Sequence, residues 1–220
     1  MIPWSHVDSA RVPGGGELRL MRRGGEFSIR LGANELMNSR LSGSEEALAT
    51  LVCARLKTPT PRLLIGGLGM GFTLRAALSA LGPRARIDVA EIVPAVVAWA
   101  RGPMAEVFGG CLDDARVHIH ETDVGKTMTS ARYDAILLDV DNGPDGLSRP
   151  ENDRLYSVSG LGAAHAALKT GGILAVWSSA PDRNFTRRLR DGKFAVEEQH
   201  VRARKSGGGA RHTIWLATRS

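Results

Sequence analysis

The segment Arg62-Leu-Leu-Ile-Gly-Gly-Leu-Gly-Met-Gly-Phe-Thr-Leu-Arg-Ala-Ala-Leu78 constrains this chain more than any other. Leu63 to Ile65 is an apolar run of strand length. Gly66, Gly67, Gly69 and Gly71 follow at once. Phe72 to Leu81 then carries Leu74, Ala77, Leu78 and Leu81 at helical spacing. Strand, glycine turn and helix make the first half of a nucleotide-binding βαβ unit. Glycines let the backbone turn sharply and let a ligand approach where a Cβ would collide. The helix start adds unpaired N–H groups and a partial positive charge.

The spacing narrows the ligand. Gly67, Gly69 and Gly71 read G-x-G-x-G, not the longer G-x-G-x-x-G of a dinucleotide site, and no Gly-Lys-Ser/Thr of a triphosphate loop follows. This tighter turn resembles motif I of S-adenosylmethionine-dependent methyltransferases and their relatives.

Downstream the pattern continues. Arg86 to Glu91 is a second buried strand ending in an acid. Glu91 lies where a carboxylate reaches the ribose hydroxyls of an adenosine ligand. Pro94 opens a helix expected to run to about Phe108. Val117 to Glu121 is a third strand, followed by Thr122-Asp123-Val124. Ala135 to Leu138 is a fourth, ending at Asp139. Asn142-Gly143-Pro144 and Asp145-Gly146 mark a long loop. A helix from Ser159 to Leu168 is closed by Lys169-Thr-Gly171-Gly172. Ile173 to Trp177 is a fifth strand, Asp182 caps a short basic helix, and Phe194 to Val201 and His212 to Ala217 alternate as an antiparallel pair. Strands alternating with helices predict a parallel sheet.

Upstream, residues 1 to 16 read as a flexible arm. Glu17 to Met21 and Glu26 to Leu31 read as a hairpin turning at Gly24-Gly25, extended by Glu35-Leu36-Met37. Ser44 is the expected cap of a helix with Glu45 and Glu46 in its first turn. Residues 1–42 form the small β-region and residues 43–220 the nucleoside-binding domain. The fold class is α/β: a Rossmann-like, mixed, mostly parallel seven-stranded sheet with a short N-terminal hairpin extension.

The remaining features exclude more than they select. No apolar run approaches the ~20 residues of a membrane span, and the N-terminus lacks a basic region followed by an apolar stretch, so a cytoplasmic protein without a membrane partner is expected. Cys53 and Cys111 have no metal-like spacing and read as free thiols. The net charge of +6 and isoelectric point near 9.9 come from an arginine-rich C-terminal third. No nucleic-acid motif accompanies it, so a solvated face is the better reading. The histidines show no ligand spacing, and no metal is expected.

Taken together, these motifs resemble the spermidine synthase family, from about Glu17 to Trp177. The resemblance rests on Ile65-Gly-Gly-Leu-Gly-Met-Gly71, Ala90-Glu91-Ile92-Val93, Asp114-Ala-Arg116-Val117, Asp123-Val124, Tyr133-Asp134 through Asp139-Val-Asp141-Asn-Gly-Pro144, Leu155-Tyr156, and Leu168 to Gly172. It implies the class I methyltransferase fold and S-adenosylmethionine, intact or decarboxylated, as cofactor. The implied cofactor-binding set is Gly66, Gly67, Gly69, Gly71, Glu91, Ile92, Asp123 and Val124, with Glu91 on the ribose and Asp123 near the adenine amino group. Asp139 is the implied acid facing an acceptor amine.

Departures from the family shape the functional expectation. The family's glycine turn carries an acid that binds the aminopropyl ammonium, and Gly69 stands there. The family's Tyr-His-Glu is absent, with Ser44-Glu45-Glu46 near its place. Asp141 and Asn142 replace the second acid of Asp-Ser-Ser-Asp. Asp139 and Asp141, at i and i+2, face one side of an extended segment and could hold an amine or pass its proton. Asn152, Arg154 and Tyr156 could lid the acceptor. The expectation is therefore a small-molecule methyltransferase. Aminopropyl transfer to a polyamine-like amine is the alternative, and a non-catalytic nucleoside- or RNA-binding module is the other. A homodimer through the hairpin is also expected, because a hairpin this small has little of its own to pack on.

Overall fold

The computed structural model describes residues 2–13, 15–128, 132–140, 143–144, 153–204 and 209–220. The expected N-terminal arm is a strand. β1 (Ser5–Arg11), β2 (Glu17–Arg23), β3 (Glu26–Leu31) and β4 (Asn34–Asn38) make a four-stranded antiparallel sheet in that order. Gly24, at φ 59, turns β2 into β3. Alternation along these strands sends Leu18, Leu20, Phe27 and Ile29 to one face. Those four are buried in one core with Leu48, Val52 and Trp99. The Trp99 indole also donates to Asp8 Oδ2 at 2.6 Å, pinning β1. The hairpin thus packs on its own chain, which removes the argument that an unburied hairpin must find a dimer partner.

The larger unit alternates. In order come α1 (Gly43–Cys53), β5 (Arg62–Gly66), α2 (Phe72–Ala80), β6 (Arg86–Glu91), α3 (Pro94–Arg101), α4 (Ala105–Phe108), β7 (Val117–Glu121), α5 (Val124–Met128) and β8 (Tyr133–Leu138). Next are α6 (Asp153–Tyr156), α7 (Val158–Ala167), β9 (Leu168–Ser178), α8 (Arg183–Asp191), β10 (Phe194–Arg202) and β11 (Arg211–Arg219). The seven strands of this unit form a sheet ordered β10-β11-β9-β8-β5-β6-β7. β5 to β9 run parallel; β11 is antiparallel to both neighbours. Asp182 caps α8 as expected, accepting from the N–H groups of Asn184 and Phe185.

Three local readings need correction. Gly102-Pro103 interrupts the helix expected from Pro94 to Phe108, because proline cannot continue a helix interior. Ser42, not Ser44, precedes the first turn of α1, and Ser44 is buried inside it. Lys169 to Gly172 belongs to β9, not to a helix closure; Leu168 already pairs with Tyr133, and the register shifts before Ala135.

Asp88 holds the sheet on the side away from the cleft. Its side chain is fully buried in mid-β6 and is met by Arg62 at 3.0 Å, His120 at 3.0 Å and Arg86 at 3.5 Å. Burial alone would push this carboxyl up, but His120, Arg62 and Arg86 hold it below the ordinary 3.8. A depressed folded value gives stability that is present above the unfolded value and lost as pH falls through the folded one. Asp88→Asn is therefore expected to lower stability by about 1–2 kcal/mol at neutral pH and to flatten the acid side of the stability curve. Chemical denaturation between pH 3 and 7 checks both; an unchanged acid limb would contradict the assignment.

Candidate active site

β5 pairs with β6 on one side and β8 on the other. The chain order reverses there, and in open α/β sheets that switch point is where the carboxyl ends of the strands leave a crevice. Gly66 ends β5, Glu91 ends β6, Asp139 follows β8 and Asp123 lies just past β7.

Close backbone contact shapes the glycine turn. Gly67, at φ 89, leaves no room for a Cβ against the Asp139 carbonyl oxygen, so β5 and the end of β8 approach at van der Waals contact. Gly69, at φ 51, lies under Met37, whose sulfur would be 3.3 Å from an added Cβ. Gly71 and Gly66 stand behind the cavity and do not line it. A Cβ on Gly71 would sit 2.5 Å from the Phe108 ring, and one on Gly66 would meet Val124 and Leu138 at about 3 Å. Their glycine identity thus has a packing cause in the structure.

The turn's N–H groups are largely committed. Gly67 N–H donates to the Ala90 carbonyl, Gly71 N–H to the Leu68 carbonyl, and Leu68 N–H to Glu91 Oε2 at 3.0 Å. Glu91 Oε1 accepts from Val93 N–H at 2.8 Å. Glu91 is thus buried and staples the turn to the end of β6, while still facing the cavity. Each carboxylate oxygen has two lone pairs, so a further hydroxyl can still be accepted.

That cavity has a volume of about 840 Å³ counted with the open space at its mouth. Gly67, Gly69, Glu91, Ile92, Asp123, Val124 and Asp139 all line it, so the structure gathers most of the residues expected from sequence. β2, β3 and β4 roof it with Leu18, Ile29, Leu36 and Met37. Asp123 is fixed by its own turn, Oδ1 accepting from Gly125 N–H at 2.7 Å.

A second cavity, of about 570 Å³, adjoins it. Asp139, Gly69, Leu36 and Met37 line both. The second also receives Asn38, Glu45 and Trp177. The Trp177 indole N–H is buried and has no partner among the described residues.

Asp139 stands at the junction. It keeps a little surface toward the cavities but is otherwise enclosed by protein. Thr73 Oγ1 lies 2.6 Å from Asp139 Oδ2 and 3.2 Å from the Glu45 carbonyl. Burial and the neighbouring Glu45 charge push the Asp139 carboxyl up to about 7, against the Thr73 hydrogen bond. Burial likewise raises Glu45.

Some expected residues lie elsewhere. Asp141, Asn142 and Asn152 fall outside the described residues. Tyr156 is not a lid: it is buried and packs edge-on against Phe185. Arg154 is exposed. Sequence reasoning does not single out Glu45 and Thr73 as site residues. Glu45 reads locally as a first-turn helix charge, and only the packing of α1 beside the end of β8 turns it inward.

No family model matches this chain. It is 32% identical over 150 residues to the polyamine aminopropyltransferase of Mycobacterium tuberculosis, a match covering 63% of this chain and 28% of that protein. The polyamine aminopropyltransferase of Sulfolobus acidocaldarius is 33% identical over 138 residues, covering 62% of this chain and 44% of that one. The chain thus spans less than half the length of these relatives. Among solved structures, a spermidine synthase in complex with the transition-state analogue AdoDATO superposes at a TM-score of 0.75, with 18% identity over 98% of this chain and 72% of that one. Spermidine synthase from Thermotoga maritima gives 0.75 at 17% identity over 98% and 73%. Human methyltransferase-like protein 13 in complex with SAH gives 0.62 at 20% over 79% and 81%. The fold is spermidine-synthase-like, within the class I methyltransferase architecture.

Proposed function

We propose that this chain transfers an alkyl group from a sulfonium nucleoside to an amine, and that the group is aminopropyl. One observation carries the reading: every charged side chain described on the walls of the two cavities is a carboxylate, namely Glu45, Glu91, Asp123 and Asp139. Such a lining favours a donor that carries an ammonium beside its sulfonium, and an acceptor that is itself a cation. The names of the aminopropyltransferase relatives support the same choice. One feature favours methyl transfer: Gly69 gives the turn no acid of its own. Its supposed advantage for a donor carboxylate is reduced, however, because three N–H groups of the turn are already satisfied internally.

The residues present fit an adenosyl group. Glu91 would accept from the ribose hydroxyls, Ile92 and Val124 would sandwich the base between apolar walls, and Asp123 would take its amino group. Such a donor supplies an electrophilic carbon on a sulfonium. The protein must then orient an amine in line with that carbon, keep water away and take one proton. Asp139, shared by both cavities, would take it, with Thr73 fixing the carboxyl. A carboxyl near 7 is matched to accept a proton at neutral pH.

The test offers the protein the intact and decarboxylated donors with a panel of diamines and identifies products by mass. An aminopropyl gain that vanishes in Asp139→Asn is the expected result. A methyl gain would replace the reading with methyl transfer. Tight, salt-sensitive RNA binding without any amine product would favour the binding-module alternative.

A further inference from the structure

Behind the second cavity a chain of polar groups leads from Glu45 to β11. Ser44 is fully buried. Its hydroxyl donates to Glu45 Oε2 at 2.7 Å and lies 2.8 Å from His212 Nδ1. A hydroxyl has one proton. While it serves an ionised Glu45, His212 must donate from Nδ1. When Glu45 is protonated, both bonds can reverse, and His212 then carries its proton on Nε2. The second arrangement holds one proton more than the first: passing it from Glu45 through Ser44 to Nδ1 leaves an ionised Glu45 and an imidazolium, and loss of the Nε2 proton restores the first. His212 is only half-buried, and its ring stands edge-on to Trp177 at 4.8 Å, beside the cavity wall.

Among the described residues, Asp139 lacks a comparable route. Its hydrogen-bond partner Thr73 leads on to the Glu45 carbonyl, which accepts but cannot pass a proton further.

We propose that Glu45, Ser44 and His212 form the proton outlet of the acceptor cavity. The inference rests on the transfer reading. An acceptor amine enters as an ammonium and must lose one proton to expose its lone pair. The C–N bond then forms as the C–S bond breaks, and the sulfonium leaves as a neutral thioether. The product keeps one positive charge on the nitrogen, so one proton must leave the site. Asp139 takes that proton, and an amine nitrogen seated between Asp139 and Glu45 can then relay it to Glu45, from which Ser44 and His212 lead it out. Among the described residues, few other charges bear on His212. α1 supplies Glu45 and Glu46, β9 supplies the neutral Trp177, and Val201 of β10 lies opposite. The flanking His200, Arg202 and Arg211 alternate to the other face of the sheet. Burial lowers His212, which favours release of the proton it receives.

Two measurements test this. In NMR titrations, the His212 midpoint is expected to fall by about half a unit or more in Glu45→Gln, because an opposite charge is lost. In single-turnover transfer, His212→Ala is expected to be about tenfold slower than wild type, with nucleoside binding intact. Added imidazole should restore the rate, which a merely structural role for His212 would not permit. A His212 midpoint indifferent to Glu45→Gln in an active wild type overturns the outlet alone. So does a His212→Ala rate equal to wild type, or one that imidazole leaves unchanged. Coupled titration in a wild type that turns over no amine overturns the transfer reading, and the outlet's role with it.

Discussion

Asp139→Asn is expected to slow transfer by about 10²–10⁴-fold, the usual contribution of a positioned general base, while making the protein more stable above pH 7. Both effects have one cause. Burial and the Glu45 charge hold the Asp139 carboxyl at about 7, far above its ordinary 3.8. A raised carboxyl favours the protonated form in the folded state. Its stabilising contribution is complete below the unfolded value and is lost as pH rises through the folded one. A shift of this size corresponds to roughly 4 kcal/mol. Asp139 retains some exposure to the cavity, so about 2 kcal/mol is the expected gain for the neutral amide at pH 8. The wild-type rate should rise with pH through about 7 as the base ionises. Thermal melts at pH 5 and 8, with single-turnover rates across the same range, check both halves. A variant that retains wild-type turnover, or one no more stable at pH 8 than at pH 5 relative to wild type, would remove Asp139 from its role.

How much of this was legible in the sequence depends on how local each signal is. The strand at Arg86 to Glu91 and the turn at Gly67 to Gly71 are written in contiguous residues, and their positions relative to Asp139 follow from the order of parallel strands. Glu91, Asp123 and Asp139 were therefore found together. The roof was not. β1 reads as an arm because Ser5 to Arg11 is mostly polar and largely exposed, and its place is set by distant contacts such as Trp99 with Asp8. Glu45 and Ser44 read as helix-start residues because that is their local pattern. Their roles depend on Thr73 of α2 and His212 of β11, partners 28 and 168 residues away. Gly71 is a related case: its close neighbour in the fold is Phe108, and sequence spacing cannot tell a packing cause of a glycine from a ligand's approach.

The decarboxylated donor is expected to bind about a hundredfold tighter than intact S-adenosylmethionine, the reverse of what Gly69 suggests by itself. Read alone, a turn with glycine in place of an acid looks open to a carboxylate at a helix start. In the folded chain the N–H groups of Gly67, Leu68 and Gly71 already have acceptors, and one of those acceptors is Glu91 itself. On the transfer reading, the donor's tail points toward the second cavity, which Asp139 and Glu45 line. A carboxylate within about 5 Å of one such acid costs roughly 3 kcal/mol at an effective dielectric of 20, whereas an ammonium there gains a comparable amount. Relaxation and cavity water reduce both figures, which leaves about two orders of magnitude. The preference should widen between pH 6 and 8 as Asp139, at about 7, becomes charged. It should narrow in Glu45→Gln, which keeps the side chain's size and removes its charge. Calorimetric titration of both donors into the wild type and Glu45→Gln, at pH 6 and pH 8, makes the comparison. Equal affinities, or tighter binding of the intact form, would mean that the turn serves a carboxylate after all, and methyl transfer would then be the reading that the site supports.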